Sequence, residues 1–149
     1  MVTMMANGIM PFRPMGDDMG VAPKPRDPIR SLASQDEAIG ALSLRIDLPQ
    51  GRIGPGKIDL LEAIDREGSI SAAGRALGMS YKRAWGLVDA VNKVIGQSVV
   101  AASTGGSRGG GAALTEAGRE LVADFRAIER AAHRAAAPRL AALLRRTRG

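Results

Sequence analysis

The hydrophobic pattern of the chain changes period once. Leu42, Leu44, Ile46 and Leu48 alternate with Ser43, Arg45 and Asp47, the period-2 signature of a half-buried strand over 42–48. Pro49-Gln50-Gly51 ends that strand, and Gly54-Pro55-Gly56 makes a second stop. Beyond it the period becomes helical. A helix over 57–67 sets Ile58, Leu61 and Ile64 on one face, with Gly68 as its C-terminal stop. A short helix capped by Ser69 or Ser71 follows through Ala72, Ala73, Ala76 and Leu77. Gly78-Met79-Ser80 is a tight turn, and a third helix spans 81–95, stopped by Gly96.

Short strands are expected at 98–102 and 112–114, flanking a glycine-rich loop over 104–111. Thr115 then caps a long helix rich in Ala and Arg. Pro138 should break or kink it, because proline disfavours the α conformation at the residue before it, leaving 138–149 as a short basic C-terminal helix. Ahead of the strand, Pro11, Pro14, Pro23, Pro25 and Pro28 interrupt any apolar period, so 1–40 is expected to be a disordered tail rich in Pro, Gly and Met. Residues 41–137 form the folded domain. The predicted class is mainly α with a small β-hairpin wing: a winged helix-turn-helix with a long C-terminal helix.

Composition narrows the chemistry. The 149 residues contain no cysteine, which excludes disulfides, thiolate metal sites and cysteine nucleophiles. The aromatic residues are Phe12, Tyr81, Trp85 and Phe125, so the core must be built of Ala, Leu, Ile and Val. No signal-peptide pattern opens the chain, and no stretch reaches the roughly 20 apolar residues of a membrane span. The cytoplasm is the expected compartment. Of the net charge of +6, all the excess lies in residues 42–149, which hold 17 basic and ten acidic side chains. That excess favours a polyanionic partner.

The segment from Gly68 to Ser80, followed by Tyr81, Lys82 and Arg83, carries the strongest signal. Small residues at Ala72, Ala73 and Ala76 let two helices cross closely, and Gly78 can adopt the left-handed conformation of a three- or four-residue turn. Ser80 caps the next helix, whose first N–H groups favour a phosphate oxygen. On a helical wheel Ala84, Val88, Val91 and Ile95 cluster inward with Leu87 beside them, whereas Lys82, Gly86, Asp89 and Lys93 lie opposite. Tyr81 and Trp85 form an i, i+4 pair at the boundary. Trp85 reads as a packing residue, whereas the Tyr81 hydroxyl could reach a phosphate. Thr104, Ser107 and Arg108 sit in the glycine-rich loop, where backbone N–H groups and one cation would meet phosphate or the minor groove. The run is not a phosphate-binding P-loop, because no Gly-Lys-Ser/Thr ends it, and it does not fit G-x-G-x-x-G. Candidate DNA-contacting residues are therefore Ser69, Ser71, Ser80, Tyr81, Lys82, Arg83, Gly86, Lys93, Thr104, Ser107 and Arg108.

The run Arg52-Ile-Gly-Pro-Gly56, with Gly68-Ser-Ile-Ser71, Met79-Ser-Tyr-Lys-Arg-Ala-Trp85, the loop 104–111 and Leu114-Thr-Glu-Ala-Gly118, resembles the N-terminal DNA-binding domain of ModE-type molybdate-responsive regulators. Its Ser-Ala-Ala and Leu-Thr-Glu-Ala-Gly phrases are shared with LysR-type helix-turn-helix domains. The likeness covers roughly 41–135. It implies that residues 80–86 open a recognition helix, that 104–111 is the wing, and that the long final helix helps to form a dimer. Full-length members of that family carry C-terminal molybdate-binding domains. Residues 119–149 are helical in pattern and end in Arg145-Arg146-Thr147-Arg148, so this chain is not expected to bind molybdate or any other cofactor. Regulation without an effector, or sensing by a separate protein, is implied instead.

The partners expected are double-stranded DNA and a second copy of the chain. Ala117, Leu121, Phe125, Ile128 and Ala132 form one apolar stripe on the last helix, and two-fold pairing would set two recognition helices about 34 Å apart on a palindrome. An enzyme is not expected. His133 is the lone histidine, on a helix face that reads as exposed, and Asp59, Glu62, Asp65 and Glu67 read as a solvated face partly paired with Arg66 and Lys57. The alternative is a dimeric winged-helix adaptor for protein contacts, without DNA specificity of its own.

Overall fold

The structure, a computed structural model, describes residues 41–103 and 111–147. The expected tail over 1–40 and the interior of the loop over 104–110 lie outside the described residues. In chain order the elements are β1 (Ile46–Leu48), β2 (Gly51–Ile53), α1 (Pro55–Glu67), α2 (Ile70–Ala76), α3 (Tyr81–Ile95), β3 (Val100–Ser103), β4 (Gly111–Leu114) and α4 (Glu116–Thr147).

The alternating segment survives as an exposure pattern up to Asp47, with Leu42, Leu44 and Ile46 half-buried and Ser43, Arg45 and Asp47 exposed, but Leu48, expected inward, is exposed. Only its end becomes a strand. A ladder needs a partner, and β2 supplies one for 46–48 alone, in the antiparallel register Ile46↔Ile53 and Leu48↔Gly51. This second strand was not expected, because Gly51-Arg52-Ile53 is too short to show a period. The hairpin lies across the end of α3: a Cβ on Gly51 would come within 2.7 Å of Val94 Cγ2.

The helices bury the faces their periods predict. Ile58, Leu61 and Ile64 are fully buried, joined by Leu60, Ala63, Ile70, Ala73, Ala84, Val88 and Val91 in one core with Val99, Leu114 and Phe125. Gly68 ends α1 at φ 73°, its N–H donating to Ile64 O at 2.9 Å. The close crossing of α2 and α3 falls one residue from the expected set. Ala73 and Gly74 are buried there, whereas Ala76 is exposed. A Cβ on Gly74 would approach Met79 O to 3.2 Å and Ala84 Cβ to 3.4 Å.

β3 and β4 pair antiparallel, Val100↔Leu114 through Ser103↔Gly111, so the loop between them joins two adjacent strand ends. This is the base of the wing, and the architecture is a winged helix. Thr115 then turns the chain into α4, its Oγ1 accepting from Gly118 N and donating to Ser98 O. Gly118 lies so close to β3 that a Cβ would overlap Val99 O. The separate helix expected over 138–149 is corrected: α4 runs unbroken through Pro138. Proline removes one N–H and crowds the carbonyl of Arg134, but three alanines precede it and both residues are exposed, so water can take up the freed carbonyl.

Candidate nucleic-acid interface

The α2–turn–α3 unit is fixed by its caps. Ser69 Oγ accepts from Ala72 N at 3.0 Å and Ser80 Oγ from Arg83 N at 3.2 Å, each contribution worth about 1 kcal/mol of helix stability. Between them Gly78 takes φ 65°, the left-handed conformation the turn requires, and Met79 N donates back to Gly74 O at 2.8 Å. The cap of α2 is therefore Ser69. Ser71 lies within the helix, where its Oγ accepts from Arg75 Nη1 at 2.9 Å.

The outer face of α3 is open. Lys82, Arg83 and Gly86 are exposed, and nothing stands within 4 Å of where a Gly86 Cβ would sit. Neither Lys82 nor Arg83 forms an ion pair among the described residues. Two cations without an ion-pair partner among the described residues thus flank the helix N-terminus, whose free N–H groups add partial positive charge. Lys93 is different: it pairs with Asp89 at 2.7 Å, one turn before it and nearer the far end of the helix. Tyr81 and Trp85 meet as the i, i+4 spacing requires. The indole Nε1 donates to the Tyr81 hydroxyl at 2.5 Å, Trp85 is 6% exposed, and the phenolic proton remains free to donate elsewhere. Thr104, Ser107 and Arg108 fall outside the described residues.

Three features that hold this surface were not foreseen. Asn92, buried on the inner face of α3, accepts from Val99 N at 2.8 Å and ties the end of α3 to the start of the wing. Its signal was present: a lone amide among Val88, Val91 and Ile95 on an apolar stripe calls for a partner. Ser98 Oγ donates to Val100 O at 2.6 Å beside it. The third is Arg126 on α4. It forks onto Glu62 of α1 at 2.9 and 2.8 Å, and adds Asp59 at 2.7 Å and Glu129 at 2.8 Å. Asp59 and Glu62 are therefore an interhelical contact, not a solvated face, and Lys57 donates to the Arg52 carbonyl instead of pairing with them. The Arg126 hydrogen bond holds the Glu62 carboxyl below its usual range against the opposing effect of burial, and the same bond raises Arg126 further into its charged form.

His133 also departs from expectation. It is half-buried, and its Nε2 has no hydrogen-bond partner among the described residues. At about 100° per residue it shares one side of α4 with Arg126 and Leu140, seven residues before and after it. Among the described residues no cluster of three or more acidic or histidine side chains is arranged to hold a metal ion, and no helix is long and apolar enough to cross a membrane.

Residues 56–119 match the family described as bacterial regulatory helix-turn-helix protein, lysR family. The chain is 46% identical over 94 residues to the molybdenum-pterin-binding protein MopB of Rhodobacter capsulatus, covering 63% of this chain and 35% of that protein. It is 41% identical over 68 residues to the DNA-binding transcriptional dual regulator ModE of Escherichia coli strain K12, covering 46% of this chain and 26% of ModE. The chain thus spans well under half the length of these relatives. Among solved structures, the CbnR_DBD–DNA complex is similar at 24% identity and a TM-score of 0.47, over 59% of this chain and 95% of that one. Over residues 56–119, within a winged-helix architecture, the chain thus matches the lysR helix-turn-helix family and is similar to MopB and ModE.

Proposed function

We propose that the chain is a sequence-specific DNA-binding transcriptional regulator acting as a homodimer in the cytoplasm. The observation that carries this reading is the first two turns of α3, where Lys82 and Arg83 stand exposed and unpaired among the described residues beside the open flank of Gly86. A helix with that face enters a major groove. Arg83 and Lys82 can reach base edges or phosphates, and Gly86 lets the backbone approach the groove wall. The free Tyr81 proton serves a phosphate oxygen. Ser69, Ser71 and Ser80 spend acceptor lone pairs inside the motif, which leaves their hydroxyl protons for backbone phosphates. Thr104, Ser107 and Arg108 contact phosphate or the minor groove at the wing, and Lys93, tethered to Asp89, contributes long-range attraction.

Dimerisation falls to α4. Ile128 is 47% and Leu143 54% exposed, which leaves apolar surface along the helix. Its carboxylates, Glu116, Glu120, Asp124 and Glu129, precede Arg130, and every charged residue from there to Thr147 is an arginine. Antiparallel pairing sets acidic half against basic half, whereas parallel pairing opposes like charges.

The test is alanine substitution at the proposed contacts. Arg83→Ala or Lys82→Ala should weaken operator binding by about 1–3 kcal/mol, and Arg108→Ala should lower the salt slope by about one. Unchanged affinity in all three would overturn the assignment.

A further inference from the structure

We infer that Arg126 is a positioning residue for DNA recognition, fixing the angle at which α4 leaves the helix-turn-helix body and hence the spacing of half-sites a dimer accepts. The inference rests on the reading of the chain as a dimeric DNA-binding protein. α4 is held at two places. At its start Thr115 caps it and Gly118 is wedged against the Val99 carbonyl. Farther along, Phe125 is sunk in the core at 1% exposure and Arg126 grips α1. A packed phenyl ring resists lifting but tolerates sliding and rolling. A guanidinium fork on a carboxylate fixes direction as well as distance. Arg126 engages both Glu62 oxygens and reaches Asp59 one turn earlier on α1, while Glu129 on its own helix holds the remaining amino group. The guanidinium as a whole is thus held from two helices, α1 through Glu62 and Asp59 and α4 through Glu129.

The geometry gives this contact leverage. Gly118 to Arg126 spans about 12 Å of helix axis, and Gly118 to Thr147 about 43 Å. A sideways slip of about 1 Å at Arg126 becomes about 3–4 Å at the end of α4. That is comparable to the rise of one base pair, about 3.4 Å. Because α1 and α3 share the core through Ile64, Ala84 and Val88, fixing α4 on α1 fixes it relative to the recognition helix. Arg126 itself touches no part of the α3 face that reads DNA.

The test uses the full chain and duplexes carrying two copies of a selected half-site, with spacers differing by single base pairs. Wild-type affinity should peak at one spacer, by about tenfold over its neighbours, and Arg126→Lys should flatten that peak to within about threefold. Affinity for a single half-site should stay within about twofold of wild type. Glu62→Gln, which keeps the side-chain shape, should flatten the peak in the same way. The exchange of Arg126→Glu with Glu62→Arg should restore it. An unaltered spacer profile in both single variants, or equal losses on paired and single half-sites, overturns the proposal. Wild-type binding to half-sites with no spacer preference overturns it too, but leaves DNA binding standing. An absence of specific DNA binding by the wild type removes both.

Discussion

Trp85 donates its indole proton to the hydroxyl of Tyr81 one helical turn away, so the boundary between core and outer face of α3 is sealed by a hydrogen bond within that helix. Tyr81→Phe removes the acceptor and leaves the indole N–H of a nearly buried ring without a partner. Stability should fall by about 1–3 kcal/mol. Trp85 is the sole tryptophan, so a urea titration followed by its fluorescence reads the site directly. An unchanged midpoint would mean the bond contributes nothing in solution.

Asn92 and Val99 make the second such contact, and here the bond is buried on both sides. Asn92→Ala should cost about 1–3 kcal/mol, because the Val99 N–H loses its acceptor where water does not reach. Ser71→Ala is the control. Its partner, Arg75, is exposed and can turn to water, so the change should stay within about 0.5 kcal/mol. Equal losses in the two variants would contradict the assignment of Asn92 as the strut between α3 and the wing.

Gly86→Ala should move stability and binding in opposite directions. The position is helical, exposed and empty around its missing Cβ, so alanine should stabilise the fold by about 0.5–1 kcal/mol. The added methyl group stands where the groove wall would approach, so operator affinity should drop. Tighter or unaltered binding would move the DNA contact off this face.

The cluster on Arg126 predicts a pH dependence. Glu62 titrates lower in the folded chain than its ordinary value of 4.5, so its contribution is complete above that value. It is lost as pH falls through the lowered folded value. Arg126 is shifted upward, so its share persists at every lower pH and does not set the acid limb. Urea midpoints should separate wild type from Glu62→Gln at neutral pH, and the gap should close on acidification below pH 4.5. A gap that persists in acid would remove Glu62 as its source.

Much of this architecture is legible along the chain because its signals are local. Ser80 and Gly96 bracket α3, and the stripe of Ala84, Val88 and Val91 states which way it faces. β2 is not legible, since three residues cannot display a period, and neither is the continuity of α4 across Pro138, where the local rule for proline yields to the length of helix around it. The outer face of α3 is half readable. Exposure of Lys82 and Gly86 follows from the wheel, whereas the commitment of Lys93 to Asp89 depends on rotamers. The Arg126 contact is the least accessible. It joins residues 64 and 67 positions apart, and on either helix alone Asp59, Glu62 and Arg126 look like solvated surface.

The most direct test of the central claim is selection of bound sequences from a random duplex pool by the intact chain, with affinities then measured across salt. An enriched palindrome bound with a steep salt dependence is the predicted result. Salt-sensitive binding without enrichment would contradict sequence specificity. An absence of binding by a folded sample would contradict DNA recognition altogether and put the protein-adaptor reading in its place.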